Sequence, residues 1–159
     1  MSTTTIHTLT GERVWRDLAK ASFAVVSYVT PAGEPRSSGV VYVIDRRRMW
    51  VAVAEDSWKA RHIAAAGRVA VTVPVRRGGV MSLLFPIPPA TISFHATATV
   101  HPTAALEDGP LARLLPPDRR VGCRVIEIQP VGHFVTYGEG VSLTRMRTPA
   151  QARARVPVG

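Results

Sequence analysis

Residues 23–75, FAVVSYVTPAGEPRSSGVVYVIDRRRMWVAVAEDSWKARHIAAAGRVAVTVPV, decide the fold. From Phe23 to Thr30 the side chains alternate with a period of two and both sets are largely apolar, which predicts a strand buried on both faces. Pro31-Ala32-Gly33-Glu34-Pro35 has turn composition, and Arg36 to Ile44 is rich in β-branched residues, so the two runs form a hairpin. Asp45 to Arg48 turns the chain into a third antiparallel strand, Met49 to Ala54. Asp56 or Ser57 then caps a helix from Trp58 to about Ala66, with Ala60, Ile63 and Ala64 facing inward and Gly67 stopping it. Arg68 to Val75 is a fourth strand.

Working outward, Thr10 caps a helix running to about Lys20, whose apolar stripe is Val14, Trp15, Leu18 and Ala19. Beyond the Gly78-Gly79 turn and a proline-broken stretch over 80–90, Ile92, Phe94, Ala96, Ala98 and Val100 alternate with Thr91, Ser93, His95, Thr97 and Thr99. This predicts a strand with one packed and one polar face. A helical stretch from Thr103 to Leu115, interrupted at Gly109-Pro110, precedes a strand region from Val121 to Tyr137 that Pro130 must bend or split. The last twenty residues read as a loose tail. Short antiparallel strands without a βαβ rhythm predict a mainly β chain, a closed or half-closed barrel, because closure removes exposed edges. One domain is expected over 1–159, with its core at about 12–137 and a C-terminal tail at 138–159.

Composition bounds the function. The 159 residues are 46% hydrophobic and 19% charged, enough for a core. The single Cys123, expected on a buried strand, closes no internal disulfide and supplies no thiolate cage, and it suits a reducing compartment. The longest apolar stretch, Val80 to Ala90, is about half of the ~20 residues a membrane helix needs. MSTTTIHTLTGERVW lacks the basic start and apolar run of a secretory signal, so a cytoplasmic location is expected. The formal charge is +9, yet 18 of 20 cations are arginine and most fall at predicted turns or in the tail, which favours solvated turns over a nucleic-acid groove. Nucleic-acid binding is the weakest of three functional readings.

Motif absences remove whole reaction classes. No G-x-S-x-G elbow, Walker loop, H-E-x-x-H or strand-G-x-G-x-x-G-helix occurs. His7, His62, His95, His101 and His133 show no metal-ligand spacing, and Glu55-Asp56 fits turn and cap chemistry better than an acid/base pair. One constellation remains. Ser57, Lys59 and Arg61 at a helix start make a seat for a phosphate, because unpaired N–H groups and a partial positive charge collect there. Arg36, from the second strand, can complete it. Gly39 in mid-strand lets a flat ring approach the backbone edge-on, or marks a bulge. Trp58 stacks on a ring or fills the barrel's flank, and His95, Tyr42 and Trp58 are candidates to line a substrate cavity.

At these residues the chain resembles the pyridoxamine 5'-phosphate oxidase-like split-barrel family of flavin and deazaflavin proteins. The resemblance rests on PAGEPRSSGVVYV, AEDSWKARHI and GRVAVTV, and more weakly on PPATISFHATATV. It implies an antiparallel split β-barrel, with Arg36, Ser57 and Lys59 on the cofactor phosphate and Ser38, Gly39 and Val40 along the flavin ring. It also implies a homodimer with the cofactor at the subunit interface. Trp58 stands where the true oxidases carry arginine, Val41 where they carry lysine, and their aromatic, Arg-His-bearing extension is missing, so pyridoxamine phosphate is not the expected substrate. The expectation is an oxidoreductase using FMN, or alternatively F420, on a small molecule. A non-catalytic cofactor binder or sensor of the same fold is the second reading.

Overall fold

Among the described residues there are nine strands and four α-helices: α1 (Gly11–Lys20), β1 (Phe23–Val29), β2 (Pro35–Val41), β3 (Val43–Asp45), β4 (Arg48–Ala54), α2 (Trp58–Ala66), β5 (Arg68–Val75), β6 (Ala90–Pro102), α3 (Pro110–Leu114), β7 (Cys123–Pro130), β8 (His133–Tyr137), α4 (Pro149–Ala152) and β9 (Arg153–Pro157). The structure is a computed structural model that describes residues 9–105 and 109–159, apart from the side chains of Pro110 and Leu111. The N-terminal run up to Thr8, with His7, and the expected helix through 106–108 lie outside the described residues.

All strand pairs are antiparallel, in the order β2-β1-β5-β6-β7-β4-β3, with β8 and β9 branching from β6. The long β6 causes the branch. Its first half pairs with β5 from Val75↔Ala90 to Arg68↔Thr97. Its other edge is shared: β8 pairs at Thr91–Ser93 and β7 at Ala96–Pro102. Pro130 has no N–H to extend the ladder, so β7 ends there, Val131 N–H bonds the His95 carbonyl, and the chain restarts as β8. The predicted split at Pro130 is thus the joint of the sheet, which curls into a half-barrel.

Alternation fills the inner face with Val69, Val71 and Val73 of β5, Ile92, Phe94 and Ala96 of β6, Ile126 and Ile128 of β7, and Met49 and Val51 of β4. Helix α1 closes one opening. Thr10 caps it by accepting from Arg13 N–H, and its stripe of Val14, Trp15 and Leu18 is buried on the core. Burying a side chain such as Leu18 contributes about 1.5–3 kcal/mol.

Several expectations are corrected. β1 is packed on one face only, because Phe23 and Val29 on its other face are exposed. Ala64 is exposed on α2, which buries Ala60 and Ile63. Cys123 is half-buried at the start of β7 rather than enclosed. The helical stretch after β6 is broken into a 3₁₀ turn at Thr103–Ala105 and the short α3.

The largest correction concerns 138–159, which is no loose tail. It makes a turn at Arg145–Arg147, α4 and β9, and β9 pairs with β8 from His133↔Pro157 to Tyr137↔Arg153. The chain then reaches α1, where Trp15 Nε1 donates to the Val158 carbonyl at 2.9 Å. Trp15 packs edge-on against Phe134, which packs edge-on against Phe94, so the last strand closes over an aromatic core.

Candidate functional site

The hairpin register decides what the candidate residues can present. Val26 pairs with Ser38, Tyr28 with Arg36 and Ala24 with Val40, so Arg36, Ser38 and Val40 share the inward face. Ser37, Gly39 and Val41 point outward. Ser38, Gly39 and Val40 therefore cannot all offer side chains to one ring. Val40 is a core residue, whereas Ser38 places its Oγ in a buried position with no hydrogen-bond partner. β2 is also the terminal strand of the sheet order, so among the described residues no strand hydrogen-bonds its second edge. A ring lying along it would meet backbone. Gly39 is explained from within the chain: a Cβ there would stand 2.8 Å from Cε2 of the half-exposed Phe23 ring.

Helix α2 is built as its sequence predicts. Of the two candidate caps Ser57 is the one used, accepting from Ala60 N–H at 3.2 Å, and Gly67 closes the helix in the left-handed region at φ 64°. Lys59, in the first turn, is half-buried and has no ion pair among the described residues. Glu55 is paired with Arg124 at 2.7 Å and Glu34 with Arg36 at 2.8 Å, while Asp56 is exposed. Trp58 is 69% exposed, so it does not fill the barrel's flank. It carries the Arg61 guanidinium 5.2 Å from its ring centroid and leans on His62 at 5.6 Å.

Two residues not singled out by sequence join these segments. Tyr28 is the cross-strand neighbour of Arg36, and its ring lies 6.0 Å from that of His62. His62, one helical turn after Trp58, has Nδ1 buried without a hydrogen-bond partner. Both were legible. Counting back across the 31–35 turn pairs Tyr28 with Arg36, and the i, i+4 spacing puts His62 beside Trp58.

Of the candidate phosphate residues, Arg36 lines a groove of about 640 Å³ between β2, β1 and β5, together with Tyr28, Ser37, Ala66, Arg68 and Ala70. Ser57, Lys59 and Arg61 do not line it, nor does Trp58. Ala66 and Lys59 are seven positions apart on α2, about 10 Å along the axis. Arg36 and Arg68 line the groove and Lys59 stands in the first turn of α2, and the Tyr28–His62–Trp58 ring contacts link the hairpin to that helix. Arg36 and Glu34 are each 60% exposed, and such a pair is worth at most about 1 kcal/mol, so an incoming anion displaces Glu34 at little cost.

The other cavity candidates separate. Tyr42 is buried and donates its hydroxyl to the Leu18 carbonyl at 2.7 Å, and burial pushes its phenol pKa up. It is a structural anchor. His95 is exposed on the outward face of β6, against Gly132. Among the described residues no helix is long and apolar enough to cross a membrane.

Comparison with known proteins agrees with this architecture. No curated protein matches the sequence. Among solved structures, general stress protein 26 of Bacillus anthracis is 18% identical, with 79% of this chain and 92% of that one aligned at a TM-score of 0.58. An F420 reductase is 16% identical over 75% and 93% of the two chains at 0.55. A haem storage protein of Vibrio cholerae is 13% identical over 82% and 96% at 0.59. At these identities the likeness concerns the fold. The profile of pyridoxamine 5'-phosphate oxidase matches residues 12–129, most of the chain and all of β1 to β6 with α2, and the chain belongs to that family.

Proposed function

We propose that the protein is an oxidoreductase that binds FMN, with F420 as the alternative cofactor, and acts on a small molecule other than pyridoxamine phosphate. The observation that carries this reading is Lys59: a half-buried cation without a counter-charge among the described residues, in the first turn of a helix capped by Ser57, close in sequence to a buried His62 nitrogen without a partner. Such a group is stabilised by an anion, and the helix start adds its own N–H groups. Ser38, whose buried Oγ also lacks a partner, and the free edge of β2 offer hydrogen bonds to a flat heterocycle. The cofactor, once bound, supplies the hydride chemistry, so the protein needs only to bind, orient and exclude water. Arg36 and Arg68 at the groove suit a second anionic group, on the substrate or on the cofactor's tail. Trp58 and Val41, where the true oxidases hold cations, remove positive charge from the site and argue for a different substrate.

A homodimer fits the same site. The outward side chains Phe23, Val29 and Val41 of the hairpin and Ala70 and Thr72 of β5 carry no charge in a chain of net +9, with Arg36 and Arg68 beside them at the groove. Depletion of charge is what marks the centre of a protein interface. A lone half-buried Cys123 suits the reducing cytoplasm.

The test is an absorption spectrum of the purified protein, titrations with FMN and F420, and a mass measurement. FMN or F420 should bind to a species of twice the chain mass, and NAD(P)H should reduce the bound cofactor. Binding without reduction by any donor would make it a carrier or sensor, and a haem Soret band with no flavin binding would replace the reading. Lys59→Ala should weaken the cofactor by about 1.5–3 kcal/mol, roughly ten- to a hundredfold in Kd. Arg68→Ala should change it by less than about threefold; the opposite pattern would move the phosphate into the groove.

A further inference from the structure

The connection from β5 to β6 is built against the usual rule for soluble surfaces. Between Val75 and Ala90 a 3₁₀ turn at Gly79–Leu83 carries Val80, Met81, Leu83, Leu84 and Phe85 outward, with Leu83 84% and Leu84 71% exposed. Isolated exposed apolar side chains need no explanation, but five within six positions form a patch with a role. We propose that this loop inserts into an anionic lipid surface and holds the protein there as a peripheral membrane protein. The inference does not rest on the cofactor reading.

Three features favour lipid over a second protein chain. The loop is self-contained: Met81 N–H bonds the Gly78 carbonyl, Leu84 and Phe85 N–H both bond the Met81 carbonyl, Ile87 N–H bonds the Phe85 carbonyl, and Ser82 Oγ donates to the Gly79 carbonyl. Pro86, Pro88 and Pro89 have no N–H to satisfy. An apolar medium penalises unpaired backbone groups, so this economy suits lipid. The neck is fixed by Gly78 at φ 83°, where Ile87 packs so closely that a Cβ would lie 2.5 Å from its Cδ1.

The second feature is charge. Arg76 is exposed at the loop's base. Arg77 bonds the Val141 carbonyl and the Met146 sulfur, and Tyr137 donates to the Met146 carbonyl at 3.0 Å, which together hold the Arg145–Arg147 turn beside that base. Arg145 and Arg147 are exposed there. No Asp or Glu occurs in residues 57–106 or 140–159. An apolar tip with an arginine collar complements anionic headgroups, each basic side chain near such a surface being worth about 1 kcal/mol. The third feature follows from the second: a two-fold contact in which this loop meets its own copy sets each collar against its copy, and like charges repel.

The test is flotation of the full chain with vesicles of phosphatidylcholine containing roughly one-third phosphatidylglycerol, against phosphatidylcholine alone. The wild type should float with the anionic vesicles, less so at high salt, and weakly with the neutral ones. Leu83→Ser with Leu84→Ser should lower the partition coefficient roughly tenfold or more. Arg76→Gln with Arg145→Gln and Arg147→Gln should reduce the preference for anionic over neutral vesicles. All variants should keep the wild-type melting temperature and mass, because the altered side chains are exposed. Wild type that stays unbound, or a serine variant that floats equally well, overturns the proposal. A serine variant that falls from two copies to one also overturns it, since a second chain would then cover the loop.

Discussion

Tyr42 interrupts the extended run between β2 and β3 because three of its groups are spoken for. Its N–H bonds the Ser22 carbonyl, its hydroxyl reaches the Leu18 carbonyl at 2.7 Å, and its ring is buried in the core. The phenol thus ties the last turn of α1 to the sheet. Burial raises its pKa, so it stays protonated and a donor across the neutral range. Tyr42→Phe keeps the ring and removes the hydroxyl, leaving the Leu18 carbonyl without this donor. The expected loss is about 1–2 kcal/mol in chemical denaturation, with no change in cofactor affinity. An equal loss of FMN binding would return Tyr42 to the site. Gly39 shows the same economy. Its missing side chain admits Phe23 of the neighbouring strand, so the space that sequence leaves open to a foreign ring is filled by one of the chain's own.

At the scale of elements, the β3–β4 hairpin carries an avoidable cost. Asp45 pairs with Arg48, and the two residues between them, Arg46 at φ 47° and Arg47 at φ 56°, both lie in the left-handed region. That geometry is a two-residue turn whose usual residues are Asn-Gly, and side chains with a Cβ are strained in it by about 1–2 kcal/mol each. Arg47 gains an ion pair with Glu12 of α1, but both partners are largely exposed and the pair contributes little. Arg46→Asn with Arg47→Gly should therefore stabilise the fold by about 1 kcal/mol, after allowing for the looser unfolded chain. A lower denaturation midpoint would mean that the Glu12 tether outweighs the strain. Elements like this one were legible because their signals are local: the turn composition of 31–35, the Ser57 cap, the Gly67 stop and the strict alternation of β6 each act within a few residues. What stayed hidden depended on distant partners. β9 is only Arg153 to Pro157, with Ala154 and Val156 as its inward pair, and Arg153 and Arg155 dilute the pattern. Its strand identity comes from β8, and the link between the hairpin and α2 comes from the Tyr28–His62 ring pair.

At the scale of the whole molecule, the C-terminal segment is closed onto α1, with Glu139 beside Asp17. Gly138, at φ 75° with Met146 packed on it, donates to the Ala152 carbonyl at 2.8 Å and sends Glu139 toward Asp17 of α1. The Glu139 carboxyl is raised first by burial and then by the like charge of Asp17, while the guanidinium groups of Arg13 and Arg77 pull it down. Its folded pKa lies above the ordinary value, so between the two the native state holds a proton that the unfolded chain has released. Stability from this group therefore falls as pH rises from about 4.5 through the raised value, and the penalty persists at neutral pH. Glu139→Gln cannot ionise and keeps the shape. Its stability relative to wild type should rise with pH over that window and then level off, read as the difference in urea midpoints at a series of pH values. A difference that does not vary with pH would mean that Glu139 is solvated in the native state and that the closure of the C-terminal segment onto α1 rests on Trp15, Phe134 and β9 alone.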